Sequence, residues 1–86
     1  MAERRAIVAS GVGLHARPAS LLVQAAARQP VPVTIAKDGM EPVDARSILS
    51  VIGLDARSGE TVVLSADGEG ADAVLDELAR IIETES

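Results

Sequence analysis

The sequence predicts an α+β fold: a four-stranded antiparallel sheet covered on one face by three helices, ordered β-α-β-β-α-β-α as an open-faced sandwich. Three observations predict it. Val31, Val33 and Ile35 alternate with Pro32, Thr34 and Ala36, and Thr61–Ala66 alternates in the same way, the period of half-buried strands. Ala71, Val74, Leu75, Leu78, Ile81 and Ile82 lie along one stripe of an amphipathic helix ending near Glu83. Strands mixed with helices in a chain of 86 residues favour an antiparallel sheet with its helices on one side.

The elements follow in order. Residues 4–9 suit a first strand, and Gly11 and Gly13 punctuate the loop after it. From Ala16 to Arg28 the spacing turns helical, with Pro18, Leu22, Ala25 and Ala26 on one stripe, and Pro30 ends that helix. Pro32 lacks an amide hydrogen and belongs at the start of the second strand. Asp38-Gly39 is a two-residue turn leading to a short strand over residues 40–43. Ser47 opens one to two helical turns through Ile52. Gly53 and a loop over 55–59 lead to the last strand, and Gly68 and Gly70 turn the chain into the final helix. If the last strand inserts between the first two, the first helix completes a split βαβ unit.

Composition narrows the function. One domain spanning residues 1–86 is expected, too small to combine a deep substrate cavity with a full catalytic apparatus. Aromatic residues are absent, so the core is Val, Ile, Leu and Ala, and the stacking platforms of single-stranded nucleic-acid binders are missing. A net charge of −5 argues further against nucleic acid. Residues 1–46 carry six Lys/Arg against four Asp/Glu, whereas residues 47–86 carry two against nine. That imbalance reads either as a solvated acidic face or as Arg5, Arg17 and Arg46 lying near a surface that meets an acidic partner. With no cysteine and one histidine, neither a disulfide, thiolate chemistry nor a metal site is expected. No signal-peptide region or membrane-length apolar run is evident, so the expected location is cytoplasmic.

The single histidine, His15, sits within Gly11-Val-Gly-Leu-His-Ala-Arg-Pro-Ala-Ser20, at a predicted loop-to-helix junction. The first amides of a helix lack intrahelical partners, and the helix presents partial positive charge at that end. An anion is favoured there. The same field disfavours imidazolium, so a neutral ring with a free lone pair is expected to attack phosphorus without a general base. The amides of Ala16 and Arg17 could then donate to the phosphoryl oxygens, and the Arg17 guanidinium could pair with them. Charge-assisted bonds contribute roughly 1.5–3 kcal/mol each, and a carrier must release what it holds, so a few shallow contacts suffice. Gly13 can supply unusual backbone angles, and Pro18 suits a first helical turn while biasing Arg17 away from helical angles.

Gly13-Leu-His-Ala-Arg-Pro-Ala19 resembles the active-site motif of the histidine-containing phosphocarrier (HPr) family of the bacterial phosphoenolpyruvate-dependent sugar phosphotransferase system. Val43-Asp-Ala-Arg-Ser-Ile-Leu49 resembles the family's regulatory-serine segment, and the likeness covers essentially the whole chain. The resemblance implies that enzyme I places a phosphoryl group on Nδ1 of His15, that Arg17 stabilises it, and that it passes to a histidine of an enzyme IIA domain. It also implies partner contacts through Ala16, Arg17, Ser20, Leu21, Leu49 and Ile52. The short second helix cannot bury all its apolar side chains, which independently predicts an exposed patch for docking. Ser47 is a preferred N-cap, and the resemblance adds possible phosphorylation by a serine kinase that slows transfer at the histidine. Val12 stands where many members carry asparagine, and aromatics found in some members are missing. The expected activity is that of a stoichiometric carrier without a cofactor, not an enzyme in isolation, and a monomer so that its reactive face stays free. A paralogous carrier of a nitrogen-related phosphorelay and a small regulatory or binding module without chemistry are the competing readings.

Overall fold

In the computed structural model, which describes residues 1–84, strands β1 (Ala2–Ile7), β2 (Val33–Lys37), β3 (Val43–Asp44) and β4 (Thr61–Ala66) form one sheet in the order β1-β4-β2-β3. Every neighbouring pair is antiparallel. The last strand therefore inserts between the first two, as the split βαβ reading requires. Helices α1 (Ala16–Ala27), α2 (Ile48–Gly53) and α3 (Ala71–Glu83) alternate with the strands in the predicted order.

One face of the sheet forms the core. Ala6, Val33, Ile35, Val62, Leu64 and Ala66 point toward the helices and are buried. The α1 stripe of Pro18, Ala19, Leu22, Ala25 and Ala26 and the α3 stripe of Val74, Leu75, Leu78, Ala79 and Ile82 close over them. Helix α2 is too short for a full stripe and buries only Val51. The opposite sheet face meets solvent, with Arg5 and Ile7 exposed on it.

Three strands lie off their predicted positions: β2 begins only at Val33, leaving Val31 and Pro32 outside the ladder, and β1 and β3 are displaced as well. β1 begins two residues earlier than expected because Arg4 points to the helix side of the sheet with Ala2 and Ala6. The side chain is half-buried, and its guanidinium reaches Asp76 and Glu83 on α3. Val8 and Ala9 leave the ladder: their amides bond instead to the carbonyls of Glu60 and Ile82. β3 is displaced to Val43–Asp44 because the Asp38-Gly39 turn continues through Met40, whose amide bonds to the Lys37 carbonyl. Pro42, with no amide hydrogen, then precedes the two paired residues.

Candidate functional site

The loop between β1 and α1 is fastened at its base. Ser10 is buried and its hydroxyl accepts from the Val12 amide at 3.3 Å. The Gly13 amide bonds to the Ser10 carbonyl and the Leu14 amide to the Ala56 carbonyl, at 3.0 and 2.8 Å. Gly13 has φ +74°, and a Cβ there would lie 2.6 Å from the Ala56 oxygen. The residue is glycine because the backbone turns left-handed against another backbone segment. Leu14 is fully buried, so the next side chain, His15, emerges at the surface.

His15 is the N-cap of α1, in extended conformation, and its side chain makes no capping bond. The ring is thus left for other work, at 36% exposure. Among the described residues, the amides of Ala16 and Arg17 meet no carbonyl, as the first donors of a helix should not. The helical hydrogen bonds begin with the Ala19 amide to the His15 carbonyl. Ala16 has φ +51°, a left-handed conformation rare for a residue with a Cβ. Arg17, before Pro18, lies within α1, and the left-handed residue of this turn is Ala16. Arg17 is exposed, and its guanidinium has no ion-pair partner among the described residues.

A second loop supplies what the sequence reading missed. Asp55 Oδ1 lies 3.4 Å from His15 Nε2, and Oδ2 accepts from Arg57 Nη2 at 3.2 Å. The Arg57 guanidinium, with smaller contributions from His15 and Lys37, holds the Asp55 carboxyl below its ordinary range. Asp55 is left-handed too, with φ +52°. Lys37 Nζ donates to its carbonyl at 3.3 Å and pairs with Glu60 at 3.5 Å. Glu60 accepts from the Arg57 amide, which lowers its carboxyl in turn. No spacing along the chain joins residues 15 and 55; their loops are brought together by the fold, with the Leu14–Ala56 hydrogen bond next to both residues.

The three arginines singled out by charge do not share a surface role. Arg5 lies on the outer sheet face, paired with Asp38 at 2.9 Å. Arg46 grips both oxygens of Asp44 at 3.1 and 3.2 Å and holds that carboxyl below its ordinary range. Arg17 alone of the three adjoins the histidine. The acidic C-terminal half is likewise partly engaged within the chain, through Arg4 with Asp76 and Glu83 and Gln29 with Glu77.

Around His15 the structure brings Ala16, Arg17, Ser20 and Leu21 onto the first turns of α1, with Leu21 exposed. Pro18 and Leu21 face Ile81 and Thr84 across a shallow apolar groove. Helix α2 packs against α1 and exposes Ile48, Leu49 and Ile52, Leu49 to 80%. Ser47 caps α2, its hydroxyl accepting from the Ser50 amide at 3.3 Å. Among the described residues no cluster of three potential metal ligands occurs, and no helix is long and apolar enough to cross a membrane.

Such an arrangement can bind a dianion on an imidazole: the partly exposed ring stands at a positive helix end whose first two amides meet no carbonyl among the described residues, with the exposed Arg17 two positions on. Residues 2–84 match the model of the family described as the PTS HPr component phosphorylation site. The phosphocarrier protein HPr of Streptomyces coelicolor is 55% identical over 95% of this chain and 88% of that protein. The crystal structure of a phosphocarrier protein HPr from Bacillus anthracis superposes with a TM-score of 0.87 at 34% identity, covering 94% of this chain and 95% of that one. The phosphocarrier protein NPr of Shewanella violacea is 32% identical over 94% of this chain and 88% of its own length.

Proposed function

The chain belongs to the HPr family of phosphocarrier proteins, and from that premise we propose that it accepts a phosphoryl group from enzyme I on His15 and donates it to enzyme IIA domains in sugar uptake. One observation carries the assignment of the site: the chain's one imidazole stands partly exposed at the start of α1, makes no capping bond, and adjoins the amides of Ala16 and Arg17, which meet no carbonyl among the described residues. The Nδ1 lone pair attacks phosphorus, and the Ala16 and Arg17 amides with the Arg17 guanidinium take up the developing charge. The protein is consumed and regenerated stoichiometrically, acting with partner enzymes and no cofactor, as a monomer in the cytoplasm.

Partners dock on α1 and α2, which pack together and carry Ser20 and the exposed Leu21, Leu49 and Ile52. Ser47 is a regulatory position as well as a cap: a phosphate on it would add negative charge to the docking face. The greater identity to the Streptomyces coelicolor HPr than to the Shewanella violacea NPr supports the sugar branch over the nitrogen branch.

The test is incubation with labelled phosphoenolpyruvate and enzyme I, in parallel with His15→Ala. Acid-labile label is expected on the parent and none on the variant. Acid-stable label, or label retained without His15, overturns the reading.

A further inference from the structure

Resting on the reading that His15 carries the phosphoryl group, we propose that Asp55 is a positioning residue. Its carboxylate keeps the hydrogen of the His15 ring on Nε2, and so leaves Nδ1 as the atom that makes and breaks the bond to phosphorus.

The inference starts from hydrogen-bonding capacity. An ionised carboxylate only accepts, and a neutral imidazole has one N–H and one lone pair. With Oδ1 of Asp55 3.4 Å from Nε2, the contact attracts when Nε2 bears the hydrogen and repels when it bears the lone pair. The other oxygen, Oδ2, is taken by Arg57 at 3.2 Å, which fixes the carboxylate's orientation and keeps Oδ1 toward the ring. The pairing is an assigned tautomer of the kind that carboxylates impose on histidine elsewhere.

Its backbone also holds Asp55 in place. The residue sits at φ +52°, with its amide bonded to the Ile52 carbonyl at 3.0 Å and its carbonyl to Lys37 Nζ at 3.3 Å. The next residue, Ala56, accepts from the amide of Leu14, the residue before His15. The two loops are therefore tied together one residue from each member of the pair.

The chemistry balances without moving a proton. On loading, the Nδ1 lone pair forms the N–P bond while the donor's bond to phosphorus breaks and its electron pair leaves with the donor. The donor is another N-phosphorylated imidazole or a comparable phosphoramidate. The ring, still protonated on Nε2, becomes a phosphoimidazolium whose positive charge faces Asp55. On unloading, the N–P pair returns to Nδ1 and the ring departs as neutral imidazole. Were Nε2 bare, the leaving group would be an imidazolide anion, a poorer one. The Asp55 contact thus acts in both directions of a relay.

The tautomer is read directly from the ring 15N shifts of uniformly labelled native protein, Asp55→Gly and Asp55→Asn. Glycine accepts the left-handed backbone freely and asparagine tolerates it, so both variants keep the loop. The Nε2–H form is expected to dominate in the native protein. Its ratio to the Nδ1–H form should fall about two- to fivefold in Asp55→Gly, the range an exposed charged contact supports. Asp55→Asn should fall less, since it retains an acceptor. Phosphorylation of His15 by phosphoramidate, which needs no protein partner, should slow in the same order. An unchanged ratio in Asp55→Gly, with the thermal midpoint also unchanged, overturns the inference. The ring shifts need no donor, so absence of label on native His15 overturns the carrier reading alone.

Discussion

Replacing Gly13 by alanine tests how the histidine loop is held. A non-glycine residue at φ +74° costs about 1–2 kcal/mol in backbone strain. The new Cβ would sit 2.6 Å from the Ala56 oxygen and 3.1 Å from the Arg57 Cα. Both are backbone atoms, so relief requires the loops to separate. Separation breaks the 2.8 Å bond from the Leu14 amide to Ala56, worth a further 0.5–1.5 kcal/mol, roughly. The expected loss is about 1.5–3.5 kcal/mol, a large share of the roughly 5–15 kcal/mol that stabilises a small domain. For a chain of 86 residues this lowers the melting temperature by at least about 6 °C. Gly11→Ala is the control, because a Cβ there meets nothing within 4 Å and the backbone is not left-handed. That control should stay within about 0.5 kcal/mol of the parent in urea unfolding. The same loop separation carries Asp55 from His15, so Gly13→Ala should also label more slowly from enzyme I. If Gly13→Ala unfolds alongside Gly11→Ala and labels like the parent, the two loops are not coupled as described.

Arg17→Ala should leave urea unfolding unchanged, since the side chain has no partner among the described residues, yet slow phosphoryl uptake on His15 about tenfold, the low end for an exposed charge-assisted contact. Ser47→Ala removes the α2 cap and should destabilise by about 0.5–2 kcal/mol, whereas Ser47→Asp keeps a good cap and should not, which calorimetry separates. Acid should weaken the fold through Asp44, Asp55 and Glu60, whose carboxyls all lie below their ordinary values of 3.8, 3.8 and 4.5. Groups lowered by folding stabilise above the ordinary value and lose that contribution as pH falls through the folded one. Urea midpoints should therefore decline as pH drops from 4.5 to below 3.8, and less steeply in Arg57→Ala, which removes the main support of Asp55 while leaving Glu60 its bond from the backbone amide of residue 57.

Local signals in the sequence were sufficient where structure is local. The α3 stripe, the β4 alternation and the Gly13–Ala19 run each specify their element within a few neighbours, and each lies where expected. Signals failed where a side chain answers to a distant partner. Arg4 breaks the apolar pattern of β1 because its charge is met by α3, nearly the whole chain away. Asp55 looks like an ordinary loop aspartate beside an arginine two positions on; nothing in its neighbourhood mentions His15. Its left-handed backbone is equally silent, since aspartate enters that region without a sequence mark as plain as glycine. Arg5 and Arg46 mislead in the opposite way, as candidate surface charges already occupied by Asp38 and Asp44.

A chain this small presents its histidine by backbone geometry instead of by a pocket. Leu14 on one side and Pro18 and Ala19 on the other are buried, so the three residues between them must cross the surface in a fixed span. Meeting that constraint puts Ala16 at φ +51°, at a cost of about 1–2 kcal/mol that the flanking burial outweighs. The return is that the ring and the Ala16 and Arg17 amides stand together at the helix start before any partner arrives. Docking then has little left to order at the reacting centre, and less affinity is lost to immobilisation. A phosphocarrier serving a donor and an acceptor in turn needs such a surface, because any deep complementarity to one partner would slow its exchange for the other.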